Sequence, residues 1–244
     1  MSLALNITLE TYPASSYGWL LAVGDQSWES YTTGGYGNCS LLNPVTKHRI
    51  SLPSLNGLSF VRLISRGWCI RDAVITSHPI LNQDDCVVMA IFCRQRYGYK
   101  SRLIFCKPGH DDSWCVVQHE IRHYTNIIFC NGLFYALDRL KRAVDIFDIG
   151  LTPDMEQIIL PESCNQGYMM SNYIIESYGE VLLVHIARDH RDYAKDYKLQ
   201  IFKLEQSRKK WSQMKSLGDR TIFSSDINSI TVSASNHPML KRNC

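Results

Sequence analysis

The chain has 244 residues, of which 45% are hydrophobic and 20% charged, and its formal net charge is +3. This is ordinary globular composition, and the small positive charge does not by itself point to nucleic acid. No apolar run reaches the roughly 18 residues that a membrane helix needs. Residues 1–10 carry neither the basic start nor the apolar stretch of a signal peptide. We therefore expect no membrane and no nucleic-acid partner.

Short β-rich runs separated by Gly, Pro, Asn and Asp fill the chain and predict antiparallel strands. Helical periodicity is absent from almost the whole chain. The first group of runs is partial and lies at Trp19–Val23, Cys39–Leu42 and Arg49–Leu52. The second lies at residues 73–75, 86–92 and 103–106, followed by a strand opened by Trp114.

Two further groups repeat this order. One has runs at residues 126–129, 133–137, 143–147 and 157–160, and the other at 174–176, 181–186 and 199–204 with a strand opened by Trp211. Four-stranded units spaced by about 40–50 residues are the signature of a β-propeller blade. We predict an all-β fold, a β-propeller with about four recognisable four-stranded blades. An all-β sandwich with coincidental spacing is the alternative.

Two tryptophans support the repeat. Ile104-Phe105 lies ten and nine residues before Trp114, and Ile201-Phe202 lies ten and nine residues before Trp211. Each interval holds a strand, a polar turn and then the tryptophan. We predict that both rings are buried in equivalent outer strands and pack between neighbouring blades.

Nine cysteines occur, and no two form a C-x-x-C pair. Cys86, Cys106 and Cys130 lie inside apolar runs, where a thiol behaves as a small hydrophobic side chain. This usage is typical of reduced thiols. We therefore expect a cytoplasmic or nuclear protein.

Residues 119–123 spell H-E-x-x-H, a zinc-protease motif. That chemistry needs both histidines one helical turn apart, with the glutamate beside the metal-bound water. The flanking runs are of β type, and residues four apart in a strand are separated by roughly 13 Å. His119 and His123 then cannot share a zinc ion at about 2 Å each. We interpret the motif as a polar strand end or a loop between blades.

Other candidates for chemistry are local features. The glycine-rich residues 34–37 join two strands, so they lack the helix N-terminus of a phosphate-binding loop. Aspartates at strand edges and turns are favoured for local backbone hydrogen bonds. The acidic pairs in such positions are Asp84-Asp85, Asp111-Asp112 and Asp145 with Asp148. We expect no catalytic residue, no metal ligand and no cofactor.

The stretch from residue 94 to 102 interleaves basic residues with two tyrosines. Such a pattern can bind phosphates and stack bases, but it is equally typical of a solvated hairpin tip. The matching tip at 188–198 mixes both signs of charge, which argues against a polyanion groove. We favour the hairpin tip, with a protein contact as its functional alternative. The candidate contact residues are Arg94, Arg96, Tyr97, Tyr99 and Lys100.

Five stretches carry a family resemblance, at residues 40–53, 86–114, 131–136, 176–184 and 211–223. They cover almost the whole chain in the family's order. They resemble the β-propeller of the KIB type found in plant F-box proteins. The resemblance implies a substrate receptor, in which an N-terminal F-box docks on a Skp1-type subunit of a ubiquitin ligase and the propeller presents a protein substrate.

The two ends depart from that pattern. Residues 1–11 form a short N-terminal segment, shorter than an F-box, and residues 12–244 form the propeller domain. We therefore expect a Skp1-type adaptor to bind only through an F-box that these residues do not contain. The segment 241–244 resembles the start of a further family strand, so the ring is expected to be incomplete.

The function predicted from these residues is a non-catalytic protein-interaction module that binds a protein substrate. One alternative is an enzyme of the propeller fold, which clustered acidic or histidine side chains at the channel mouth would favour. The other is a truncated derivative with little function.

Overall fold

The computed structural model describes residues 10–24, 37–58, 68–94, 100–117, 120–149, 155–165, 169–188, 197–224, 229–237 and 239–241. These residues form antiparallel strands joined by turns and short 3-10 segments, and none of them is in an α-helix. Within this part of the chain no helix is long and apolar enough to cross a membrane. The all-β prediction is confirmed. The chain divides into two compact units, residues 1–122 and 123–244.

The first unit contains two four-stranded sheets, each in simple sequential order. The first sheet consists of β1 (Thr11–Ser16), β2 (Trp19–Val23), β3 (Cys39–Leu42) and β4 (Arg49–Leu52). The second sheet consists of β5 (Trp68–Ile75), β6 (Val88–Arg94), β7 (Ser101–Cys106) and β8 (Cys115–Val116). The first group of runs is therefore complete, because β1 supplies the strand that the sequence analysis did not find.

The second unit contains two more such sheets and a strand pair. The third sheet consists of β9 (Tyr124–Cys130), β10 (Leu133–Asp138), β11 (Ala143–Phe147) and β12 (Glu156–Ile159). The fourth sheet consists of β13 (Met169–Ser177), β14 (Glu180–Arg188), β15 (Tyr197–Glu205) and β16 (Lys210–Gln213). The pair consists of β17 (Arg220–Ser224) and β18 (Ser229–Ser233), which was not predicted as a separate element.

The first hairpin turn of three sheets has the same geometry. Two residues with positive φ connect the strands, and the second of them is glycine. This is the backbone of a type I′ turn, whose twist matches that of the flanking strands and which favours glycine because no Cβ interferes. The three turns are Tyr17-Gly18 (φ 52° and 76°), Asn131-Gly132 (50° and 83°) and Tyr178-Gly179 (53° and 76°). The repeat is therefore visible in backbone geometry as well as in strand order.

The core of the first unit lies between its two sheets. Leu21, Leu41, Val88 and Ile104 belong to one cluster of buried side chains contributed by both sheets. Trp114 joins this cluster, and its indole Nε1 donates a hydrogen bond to the carbonyl oxygen of Pro53 at 2.7 Å. The outer end of the second sheet is thereby fixed to the first sheet.

The second unit repeats this packing and extends it. Val181 and Leu183 face a cluster shared with the third sheet. Leu182 and Val184 face the opposite way, into a cluster that includes Leu217. Successive residues of a strand point to opposite faces, so residues 181–184 of β14 are all apolar because both faces of the sheet are covered there.

Both predicted tryptophans are buried against the preceding sheet, as expected. Their register differs by one residue. Trp114 shares its cluster with Ile104, whereas Trp211 shares its cluster with Phe202, and Ile201 faces the other side. The reason is the turn before each tryptophan: β15 continues to Glu205 and is followed by a 3-10 segment, whereas β7 ends at Cys106. The spacing of ten residues before each tryptophan is the same, but residues at equivalent positions, Ile104 and Ile201, face different clusters.

We expect Trp114→Ala and Trp211→Ala each to lower the free energy of unfolding by about 3–5 kcal/mol, because each removes a large buried ring. Urea unfolding followed by circular dichroism measures the change. Leu81→Ala, at a side chain that is 78% exposed, is the control and should change stability by less than about 0.5 kcal/mol. Equal midpoints for all three variants would contradict the packing of the two rings between sheets.

Candidate protein-interaction surface

The predicted contact loop joins β6 to β7, which pair as an antiparallel hairpin. At its base the amide of Arg94 donates to the carbonyl oxygen of Lys100 at 3.0 Å. Lys100 is exposed and Arg94 is half-buried. Arg96, Tyr97 and Tyr99 lie outside the described residues. The hairpin interpretation holds at the base of the loop, and the contact role stays a prediction.

The H-E-x-x-H segment is extended where it is described. Residues 120–123 form no helical turn, and His119 lies outside the described residues. Arg122 and Ser101 exchange two backbone hydrogen bonds of 3.0 and 2.7 Å, which place residue 122 alongside β7. Glu120 forms an ion pair with Arg122 at 2.9 Å. These contacts are consistent with the interpretation of the motif as a polar strand end or a loop between blades, which stays a prediction.

The first two acidic pairs lie between strands. Asp84 is exposed in a turn and lies 3.4 Å from His110. Asp111 accepts a hydrogen bond from the amide of Lys107 at 2.7 Å, which closes the turn before β8.

The prediction for the third acidic pair was wrong for Asp145. It lies inside β11, fully buried, rather than at a strand edge or turn. Its carboxylate accepts hydrogen bonds from the hydroxyl of Tyr124 and the amide of Gln157, both at 2.6 Å. A buried carboxylate is tolerated when its oxygens are hydrogen-bonded. Asp145 therefore joins β9, β11 and β12.

The buried cysteine thiols have raised pKa values. Burial raises the pKa of Cys39 to about 12 and that of Cys130 and Cys164 to about 11. The thiolate, not the thiol, is the nucleophile, so burial lowers the fraction of these three side chains that is present as thiolate at neutral pH. Among the described residues no three His, Cys, Asp or Glu side chains are grouped as metal ligands.

A second exposed surface, which we call the turn surface, was missed by the sequence analysis. It consists of Tyr17, Val45 and Leu81, which belong to the β1–β2 turn, the β3–β4 turn and the β5–β6 connection. Val45 is 85% exposed and Leu81 78% exposed. Because the strands of the first sheet follow one another in sequence, the β1–β2 turn and the β3–β4 turn lie at the same end of that sheet. The Tyr17 hydroxyl contacts the β5–β6 connection by donating a hydrogen bond to the carbonyl oxygen of Thr76 at 3.0 Å.

Histidines anchor the turn surface to the core. The buried ring of Trp19 makes edge contacts with His48 at 5.9 Å and His78 at 6.0 Å. His78 accepts a hydrogen bond from the amide of Leu81 at 3.2 Å. The exposed apolar residues are therefore held on ordered turns. In the sequence, tyrosine directly before glycine at residues 17–18 marks the β1–β2 turn, but it does not relate that turn to Val45 or Leu81.

The equivalent turns of the second unit are linked to each other. The Asn131 side chain donates to the carbonyl oxygen of Gly179 at 2.8 Å. Next to this turn, Glu180 forms ion pairs with Lys203 and with Arg220, the latter at 2.8 Å. The hydrogen bond from Lys203, supported by Arg220, holds the pKa of the Glu180 carboxyl below its usual value. The cluster joins β14, β15 and β17.

The fold and these surfaces define a class, a β-propeller built of four-stranded blades. The KIB1-4 beta-propeller family matches residues 2–244. The chain belongs to that family.

The curated relatives are longer proteins. F-box/kelch-repeat protein At1g57790 of Arabidopsis thaliana is 25% identical over 221 residues, which are 86% of this chain and 55% of the relative. F-box/kelch-repeat protein At3g18720 of the same plant is 26% identical over 226 residues, 88% of this chain and 51% of the relative. F-box protein At2g26160, also from this plant, is 25% identical over 155 residues, 57% of this chain and 44% of the relative. The chain spans about half the length of the relatives it matches.

We expect replacing Glu180 by Gln to cost about 1 kcal/mol of stability at neutral pH, since two cations lose their carboxylate partner. A carboxyl whose folded pKa is depressed stabilises the fold above its unfolded pKa, about 4.3, and the contribution disappears as the pH falls through the folded pKa. Urea midpoints of both proteins should therefore converge towards pH 3. The same substitution at the exposed Glu162 is the control. A constant difference at every pH would contradict the role of the ion pairs.

We expect the purified protein to hold no stoichiometric zinc, and His119→Ala with His123→Ala to leave the unfolding midpoint nearly unchanged. The reason is that residues 120–123 form no helical turn, whereas the zinc motif needs its two histidines one helical turn apart. Elemental analysis of both proteins measures the metal. One zinc ion per chain that is lost in the double variant would show that the motif is a real site.

Proposed function

We propose that this chain is a non-catalytic protein-interaction module that recognises a protein substrate for an SCF-type ubiquitin ligase. The observation that carries the proposal is the family match across residues 2–244, together with relatives named as F-box proteins in which the matched part is about half of the length. A domain joined to an F-box in its relatives is suited to select what the ligase modifies. The eight described cysteines are thiols, which supports a reducing compartment, the cytosol or nucleus.

The contact residues we propose are Arg94, Arg96, Tyr97, Tyr99 and Lys100. Arginine and tyrosine are enriched at the energetic centres of protein interfaces. The base of their loop is fixed by the hydrogen bond between residues 94 and 100, and a rigid scaffold under a variable loop is the usual arrangement for recognition. Tyr17, Val45 and Leu81 of the turn surface are the competing contact, favoured by their exposed apolar side chains.

The experiment compares the 244-residue chain with the same chain carrying an F-box fused before Tyr12. We expect a Skp1-type adaptor to co-purify only with the fusion, because the adaptor contact is the property of an F-box. We expect both proteins to capture the same substrate proteins, which quantitative mass spectrometry identifies. The unfused chain should then compete with the fusion for those substrates.

Two variants locate the contact, one with three substitutions and one with two. Replacing Arg96, Tyr97 and Tyr99 by Ala should lower substrate capture at least tenfold, while Val45→Ser with Leu81→Ser should leave it unchanged. The opposite result would show that the substrate binds at the turn surface, and it would still support a protein-interaction role. Robust one-to-one adaptor binding by the unfused chain would contradict the expectation that this contact needs an F-box, whereas no reproducible substrate with either protein would overturn the proposed function.

A further inference from the structure

Two cysteines face each other directly across neighbouring strands of the second sheet. Cys69 in β5 and Cys93 in β6 are cross-strand partners, and their Sγ atoms are 3.9 Å apart. Both side chains are thiols in this structure. Cys69 is 8% exposed and Cys93 2% exposed, so the pair is buried with its sulfur atoms in contact.

The register of these strands is fixed on both sides of the pair. Trp68 and Phe92, the sequence neighbours of the two cysteines, belong to the core cluster on the other face of the sheet and stack with ring centroids 5.2 Å apart. On the far side of Cys93, Ser101 is its partner in β7. A slip of one residue would turn every side chain to the opposite face, so packing keeps the two thiols opposed.

We propose that Cys69 and Cys93 are a reversible oxidation site that forms a cross-strand disulfide. Opposed residues of an antiparallel pair have Cβ atoms about 4.5–5.5 Å apart, and a disulfide needs about 3.5–4.5 Å. The bond therefore requires an approach of only about 1 Å between two strands that are already paired. The inference depends on this geometry and not on the proposed function.

The chemistry balances with a peroxide as the oxidant. Cys69, the more exposed thiol, loses its proton and attacks one oxygen of hydrogen peroxide, which breaks the O–O bond and releases one water after protonation. Cys93 then loses its proton and attacks the Cys69 sulfenic sulfur, which forms the S–S bond and releases a second water. The hydrogen bond with Cys69, together with burial, raises the pKa of the Cys93 thiol, which is consistent with Cys93 acting second. Two thiols are oxidised and one peroxide is reduced.

The disulfide would close the chain between residues 69 and 93 and so restrict the unfolded state. It would tie the first two strands of the second sheet together at the end where the β6–β7 hairpin begins. Disulfides of reducing compartments are typically transient and redox-sensing, and this one would respond to peroxide and to thiol reductants.

The test uses the unmodified protein. After treatment with a small excess of hydrogen peroxide, remaining thiols are blocked with N-ethylmaleimide and the protein is digested without reduction. We expect a peptide in which Cys69 is linked to Cys93, with the loss of two hydrogens, and we expect dithiothreitol to reverse it. The thermal unfolding midpoint should rise on the order of 5 °C. The exposed Cys115 reports whether the oxidant acted.

Two variants complete the test. Cys93→Ser should abolish both the linkage and the midpoint rise, whereas Cys86→Ser, which removes another buried thiol of the same sheet region, should preserve both. Oxidation of Cys115 without the Cys69–Cys93 linkage would overturn the proposal. A Cys69–Cys93 linkage that forms only in urea would also overturn it. The same is true if peroxide raises the thermal unfolding midpoint of Cys93→Ser as much as that of the unmodified protein. If Cys93→Ser does not fold, the linkage in the native protein decides alone.

Discussion

Burial of the sheets on both faces is the constraint on which the rest of the structure depends. In β14 the alternating residues Val181 and Leu182 enter two different clusters, one on each side of the sheet. A strand in this position cannot alternate apolar and polar residues. Two buried polar side chains that lie inside middle strands have hydrogen-bond partners: Asp145 is held by Tyr124 and Gln157, and His185 by Asn172 at 2.8 Å.

The same constraint explains which elements could be predicted from the sequence. The middle strands β6, β10 and β14 consist mainly of apolar residues and were identified within one or two residues. β1 was missed because Pro13 and neighbouring polar residues interrupt its pattern, which an edge strand tolerates. β8 has only two residues, so Trp114 was its only signal. The one-residue difference in register between Trp114 and Trp211 depends on the shape of a turn, which residue spacing does not encode.

The candidate contacts were predictable to different degrees. The basic loop is conspicuous in composition, and its hairpin follows from the two runs beside it. The turn surface was not predictable, because Tyr17, Val45 and Leu81 are far apart in sequence and converge only through the strand order. Asp145 was misplaced for a related reason: an aspartate in a short run looks like a strand edge unless its partners Tyr124 and Gln157, 21 and 12 residues away, are known.

The residues that stabilise this fold differ from those proposed for recognition, and the two sets come closest in the second sheet. Cys93 is buried and Arg94, the next residue, begins the basic loop. Because backbone hydrogen bonds across β6 fix both residues together, a change in how β5 and β6 are held would reach the loop base without altering any exposed side chain. If the loop binds as proposed, substitutions in it would change what is bound and leave the sheet intact, whereas chemistry at Cys69 and Cys93 would act on the geometry of the loop base from inside the sheet.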